Sequence, residues 1–178
     1  TSSAPLGGGT SQAMQISEGG LKLFDEVDLE LTFPETGIYP DGEVVVSRIN
    51  LLPNIPVGGD HQSQSYWVLN NYGTNLDFSA PESLAFNNAG EISNEQGQQP
   101  GIFRLFQRTD NADNDSWAEL DVAEEAIAGT QGRIVFSENN SLTSSGQLFI
   151  TLDSIMTSIP VEQHLPQAYV LFPNPLAQ

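Results

Sequence analysis

Turn-forming residues are spread along the whole chain, and that spacing constrains the fold more than any other feature. The 178 residues include 16 Gly and 11 Pro. Clusters such as Pro34-Glu35-Thr36-Gly37, Tyr39-Pro40-Asp41-Gly42 and Asn70-Asn71-Tyr72-Gly73 recur at intervals typical of all-β proteins. No long helical segment fits between them.

The intervening segments read as strands. In Leu21 to Phe33, Val27, Leu29, Leu31 and Phe33 alternate with Asp28, Glu30 and Thr32. A period of two over seven residues predicts a half-buried strand with one wet face. On the same reading Asp25, Glu26, Asp28 and Glu30 form that wet face. Glu43 to Leu52 carries Val44-Val45-Val46, a β-branched run that suits a strand covered on both faces. Further strands are expected at Tyr66–Leu69, Ser83–Phe86, Ile102–Arg108, Arg133–Ser137, Gln147–Asp153 and Ala168–Phe172, with a polar loop from Asn87 to Gly101. Trp117 to Ala128 fits either one or two helical turns or a strand followed by a loop.

Nine or ten strands without a fixed repeat period predict an all-β fold. The expected form is a two-sheet antiparallel sandwich of jelly-roll or immunoglobulin-like kind. Its core would draw on Val27, Leu29, Leu31, Val45, Trp67, Phe106, Ile134, Phe136, Phe149 and Tyr169. The length suits a single domain. Residues 1–13, with Gly7-Gly8-Gly9, read as an N-terminal arm. Residues 14–172 read as the sandwich, and residues 173–178 as the start of a linker or sorting segment.

Composition excludes several chemistries. Without cysteine the chain forms no disulfide, thiolate zinc site or iron–sulfur cluster. Asp and Glu number 23 against 5 Lys and Arg, a formal net charge of −18. That field repels phosphate backbones, so nucleic acid is not an expected partner. No apolar run reaches the roughly 18 residues of a membrane span. The first residues lack the charged and apolar regions of a signal peptide, so none is expected in this chain.

Candidate sites are few. Asp110-Asn111-Ala112-Asp113-Asn114-Asp115 offers oxygen ligands at alternate positions, the donors that Ca2+ prefers. Asp110, Asn111, Asp113 and Asp115 would hold the ion if the loop curls. Without the central Gly and trailing Glu of an EF-hand, the competing reading is a solvated hairpin between Arg108 and Trp117. Tyr66, Trp67, Tyr72 and Trp117 are candidates for a sugar-stacking platform, with Trp117 and Tyr72 the ligand-binding residues. Core packing is the competing role for Trp67. His61 and His164 lie far apart, and no nucleophile elbow, zinc-binding helix or phosphate loop is present. Glu124 and Glu125 are adjacent and point to opposite faces, unlike a glycosidase pair. An enzyme is therefore not expected. Asn114-Asp115-Ser116 and Asn139-Asn140-Ser141 match the N-glycosylation sequon.

Two short motifs add a resemblance. Phe172-Pro173-Asn174-Pro175 resembles the opening of the C-terminal sorting domain of type IX secretion substrates. Pro40-Asp41-Gly42, Tyr66 to Gly73 and Arg108 to Trp117 are similar to modules preceding that domain in large Bacteroidota surface proteins. The resemblance implies a secreted or cell-surface location and assigns no activity. Asp153-Ser154-Ile155 resembles the short sequence at which such bacteria O-glycosylate exported proteins, which would make Ser154 a modification site.

Two functions are expected to compete. One is a non-catalytic structural or adhesion module, in its most specific form a repeating fibre or sheath subunit. It would form homo-oligomers through terminal arms, with Ala4–Ile16 or Tyr169–Leu176 as donor, and contact other protein subunits. The other is a carbohydrate-binding module whose partners are surface glycans.

Overall fold

The computed structural model describes residues 8–154, apart from residue 55, residues 110–115 and residues 138–139. Two antiparallel sheets face each other, as the sequence predicts. The first contains β1 (Gly9–Ile16), β4 (Gly42–Ile49), β6 (Tyr66–Asn71), β12 (Gly146–Leu152), β8 (Phe103–Arg108) and β9 (Ala118–Val122), in that spatial order. The two-residue β5 (Asp60–His61) also pairs with β12. The second sheet runs β10 (Glu125–Ile127), β11 (Arg133–Phe136), β7 (Ser83–Phe86), β3 (Leu29–Phe33) and β2 (Gly20–Phe24). Of the expected segments, Ala168–Phe172 with Tyr169 lies outside the described residues.

The core is the space between the sheets. Leu29, Leu31 and Phe33 from β3 meet Val44 and Val46 from β4, Trp67 and Leu69 from β6, and Leu148 and Ile150 from β12. Trp67 is fully buried, which settles its role as packing. Its ring stands edge-on to Phe86 at 4.7 Å, and Phe86 stands edge-on to Phe136 at 5.8 Å. The first contact joins the two sheets and the second lies within the second sheet, and such edge-on pairs add to the burial of large rings.

Four local expectations need correction. Leu21 to Phe33 is a hairpin and not one strand. Residues Asp25–Val27 form a 3₁₀ turn, and Asp28 follows at φ 58°, reversing the chain so that Phe24 pairs with Leu29. Asp tolerates this left-handed conformation better than most residues because its short side chain bonds locally. Val27 is buried by that turn and mimics one more step of strand alternation. Second, Val44 and Val46 face the core while Val45 is only half-buried on the opposite side. The strand covered on both faces is β12, whose residues Gly146 to Thr151 are all buried.

Third, Phe106 is half-buried on the outer face of the first sheet, where it pairs with Phe149 of β12. Phe149 is buried but belongs to that outer layer. Fourth, the arm boundary at residue 13 falls inside β1. Gly9 to Ile16 pair in unbroken register with Ile49 to Gly42 of the domain's own sheet. Trp117 to Ala128 is neither helical nor a strand followed by a loop: it holds two strands, β9 and β10, which belong to different sheets. The polar segment after Asn87 also holds one helical turn, Asn94–Gly97. Ser93 and Gln96 form a reciprocal capping box there, with a signature visible in the sequence as Ser-x-x-Gln.

The start of β4 and the end of β6 interlock. Thr74 and Asn75 donate backbone N–H groups to the Asp41 and Pro40 carbonyls at 3.2 and 3.0 Å. Asn71 accepts from the Gly73 N–H at 2.8 Å and donates to the Asn75 carbonyl at 2.6 Å. A Cβ on Gly73 would lie 2.0 Å from the Pro40 carbonyl oxygen, so the turn requires glycine.

Leu29→Ala removes a fully packed side chain between the two sheets. The expected loss is about 2–5 kcal/mol, read from urea denaturation. A loss well below that range would place Leu29 outside the inter-sheet core.

Candidate functional site

The outer face of the first sheet carries a layer built on β12. Strand alternation turns Gln147, Phe149 and Thr151 away from the core. Phe149 is covered by Trp117, with ring centroids 5.8 Å apart, and by His61 at 4.9 Å. The His61 Nε2 lies 2.7 Å from the Val57 carbonyl, tying the loop before β5 to this layer. Arg108 lies between. Its guanidinium sits 4.6 Å over the Trp117 ring, and its Nε donates to Gln147 Oε1 at 2.7 Å. Nη2 donates to Asn54 Oδ1. Arg108 is only 2% exposed. Half-buried Tyr66 lies beside it, and desolvation raises the phenol pKa while the Arg108 charge opposes that rise.

Of the aromatic candidates, Tyr66 and Trp117 therefore gather around Arg108. Trp117 is half-buried, with one neighbour the Arg108 cation and another Phe149. Tyr72 stands apart. It follows β6 on the same side as Tyr66, six residues along, and is 66% exposed. At about 3.3 Å per residue that separation is roughly 20 Å, too far for one sugar ring to bridge. Tyr72 borders the interlocked turns, near Asp41, Thr74 and Asn75.

Asp110, Asn111, Asp113 and Asp115 lie outside the described residues. They belong to the connection between β8 and β9, two strands that pair antiparallel. Among the described residues no group of three or more His, Asp or Glu side chains is arranged to hold a metal ion. Ser154 is exposed beside an open cavity of about 340 Å³, which Gln99, Gly101, Ile102, Arg104 and Asp153 also line. Arg104 bonds Asp153 at 2.6 Å and both Glu119 oxygens at 3.1 Å. The hydrogen bonds it donates to Asp153 and then to Glu119 raise the guanidinium pKa.

Sequence reasoning missed the arginines. Each of the four joins separate strands or loops. Arg48 on β4 lies 5.1 Å over the Trp67 ring and pairs with Asp28, while its Nη2 donates to the Asn88 carbonyl at 2.9 Å. Arg133 on β11 bonds Glu30 Oε2 at 3.0 Å and Asn87 Oδ1 at 3.1 Å. Asn87 closes the ring by donating to Glu30 Oε1 at 2.7 Å. Asp28 and Glu30, expected as a plain wet face, are the carboxylate halves of these contacts. The available signal was scarcity, because a chain this acidic contains only four arginines.

Comparison with protein-family models, curated proteins and solved structures finds no match to this chain.

The Glu30 ring predicts a pH dependence. The Asn87 hydrogen bond, opposed by burial and aided by Arg133, lowers the Glu30 pKa below its ordinary 4.5. Its stabilising contribution is complete above the unfolded value and is lost as pH falls through the lower folded value. Glu30→Gln should cost up to about 1 kcal/mol at neutral pH and flatten the decline in stability at acid pH. Denaturant midpoints of both proteins across that range check this. Parallel profiles would remove Glu30 from the acid response.

Proposed function

We propose that this chain is a non-catalytic module of a secreted or cell-surface protein, with a structural or adhesive role. The observation that carries the reading is how its cations are used. Every arginine joins strands or loops within the domain, while most of the 23 carboxylates remain for the surface. Such a surface favours solubility and resists close approach of like molecules. The placement outside the cell rests on the likeness of Phe172 to Pro175 to a sorting-domain opening, a segment outside the described residues. Two other segments of that likeness, Pro40–Gly42 and Tyr66–Gly73, share the interlocked turn and so serve the fold.

In the fibre or sheath form of this reading, Tyr169–Leu176 remains a candidate donor. Within Ala4–Ile16, Gly9–Ile16 already pairs with β4 of its own domain, so inserting it into a neighbour's sheet in place of that pairing would require exchange. Export is tested in the source bacterium with and without its type IX machinery, by protease shaving of intact cells. The module should be shaved only when the machinery is present, and a Ser154→Ala protein should lose any glycan mass. Retention inside the cell in both strains would overturn the location.

The carbohydrate-binding reading is favoured by one observation, the exposed ring of Tyr72 beside hydrogen-bonding side chains. One set of thermal melts separates the ligands. Polysaccharide should raise Tm in the wild type and not in Tyr72→Ala if Tyr72 is the platform. Calcium should raise it, and chelator reverse the rise, if Asp110, Asn111, Asp113 and Asp115 bind the ion. At 100 times the dissociation constant the gain is about 2.7 kcal/mol. No shift with either ligand would remove both.

A further inference from the structure

The four sheet edges differ in how they are guarded. An edge strand presents unpaired backbone groups that template addition of another strand. Proteins block this with charge, shortness, bulges or inward-pointing lysines. The edge β9 carries Glu119 and Asp121, and its pairing with β8 is broken by a register shift between Leu105 and Phe106. At the opposite side of the second sheet, β10 is three residues long and begins with Glu125. The β2 edge holds Lys22, whose register partner Leu31 faces the core and whose Nζ donates to the Gly19 carbonyl at 3.0 Å.

The β1 edge has none of these guards. It is eight residues long, Gly-Thr-Ser-Gln-Ala-Met-Gln-Ile, with no charge, no proline and no break in its register with β4. From Thr1 to Ser17 no side chain ionises at all. In a molecule of net charge −18, this is the strand edge at which a second copy meets the least direct repulsion. Among the described residues β1 has one strand neighbour, β4.

We infer that β1 pairs antiparallel with β1 of a second copy, joining two first sheets edge to edge in a twofold dimer. The partner is fixed by charge, because a neutral edge matches itself while any carboxylate-bearing edge would repel its own image. The geometry is isologous and closes at two copies. A twofold axis perpendicular to the sheet keeps both inner faces on one side, so residues of equal parity pair. Near the strand centre Ala13 then lies opposite Ala13 or Ser11 of the second copy. Ala13 is exposed on the outer face, beside Ser11 and Gln15. This deepens the structural-module reading by naming one partner and rests on it only for the role of the dimer.

The test reads mass by light scattering across a dilution series at low and high salt. The wild type should approach twice 19.2 kDa, more readily at high salt, where the repulsion between copies is screened. Ala13→Asp and Ala13→Lys, each folded by circular dichroism, should remain monomeric alone, and their mixture should restore the dimer. Amide exchange of the wild type supplies a measurement independent of any variant. Amides of β1 should gain protection as protein concentration rises. A wild type that stays monomeric in every condition overturns the inference, as does a dimer indifferent to charge at position 13 or one in which β1 exchange does not change. A monomeric wild type that is still exported removes the dimer and leaves the surface-module reading intact.

Discussion

The structure depends on how a polar junction is carried between two apolar sheets. At one end of the sandwich the Trp67 indole N–H donates to the Val27 carbonyl at 2.7 Å, fully buried. Leaving that donor without a partner in a dry core would cost about 1–3 kcal/mol. The Val27 carbonyl is available because the chain turns at Asp25–Val27 and passes through Asp28 in a left-handed conformation. Asp28 in turn receives Arg48, whose guanidinium lies over the same indole. Gln12 of β1 adds a further tie, accepting from the Glu26 N–H at 2.9 Å. One tryptophan thereby fixes the β2–β3 turn and the depth of β4, and so sets how the two sheets meet.

Period-two patterning and turn residues made the fold class readable, and most strands follow them closely. The errors share a physical cause. Alternation reports which side chains are buried, not whether the backbone continues, so Val27 in a 3₁₀ turn looks like a strand residue. A β-branched run reports burial in general, yet Val45 lies near the edge of its sheet, and among the described residues no layer covers it. The layer lies over β12 instead, and it is built from Arg108 and Trp117, at the two ends of the β8–β9 connection, and from His61 of the distant β5. No local pattern foretells such a convergence. The same limit applies to the sites. Tyr66, Trp117 and Tyr72 were identifiable by type, but only the fold separates the two around Arg108 from the one on the opposite rim.

Charge scarcity acts as a design rule in this domain. With one lysine and four arginines against 23 acids, each cation carries structural consequences that a charge-balanced protein would spread over many pairs. Arg104 is the most exposed, and its pairs with Glu119 and Asp153 are screened by solvent. Arg48, Arg108 and Arg133 are more enclosed, and each bonds a planar side-chain amide or a backbone carbonyl. That geometry suits a forked guanidinium and would not suit lysine.

The position of β12 has a kinetic consequence. Its residues, 146–152, are the last strand described, yet they occupy the middle of the first sheet between β6 and β8. Until they arrive, β1-β4-β6 and β8-β9 are two separate ribbons with facing open edges. A chain emerging from a ribosome or a translocation channel with its N-terminus first would hold those ribbons apart until residues 146–152 emerge. Closure then depends on pairings between distant residues, which slows folding and lengthens exposure of unpaired backbone. The seating of the central strand is the step that joins the two ribbons into one sheet.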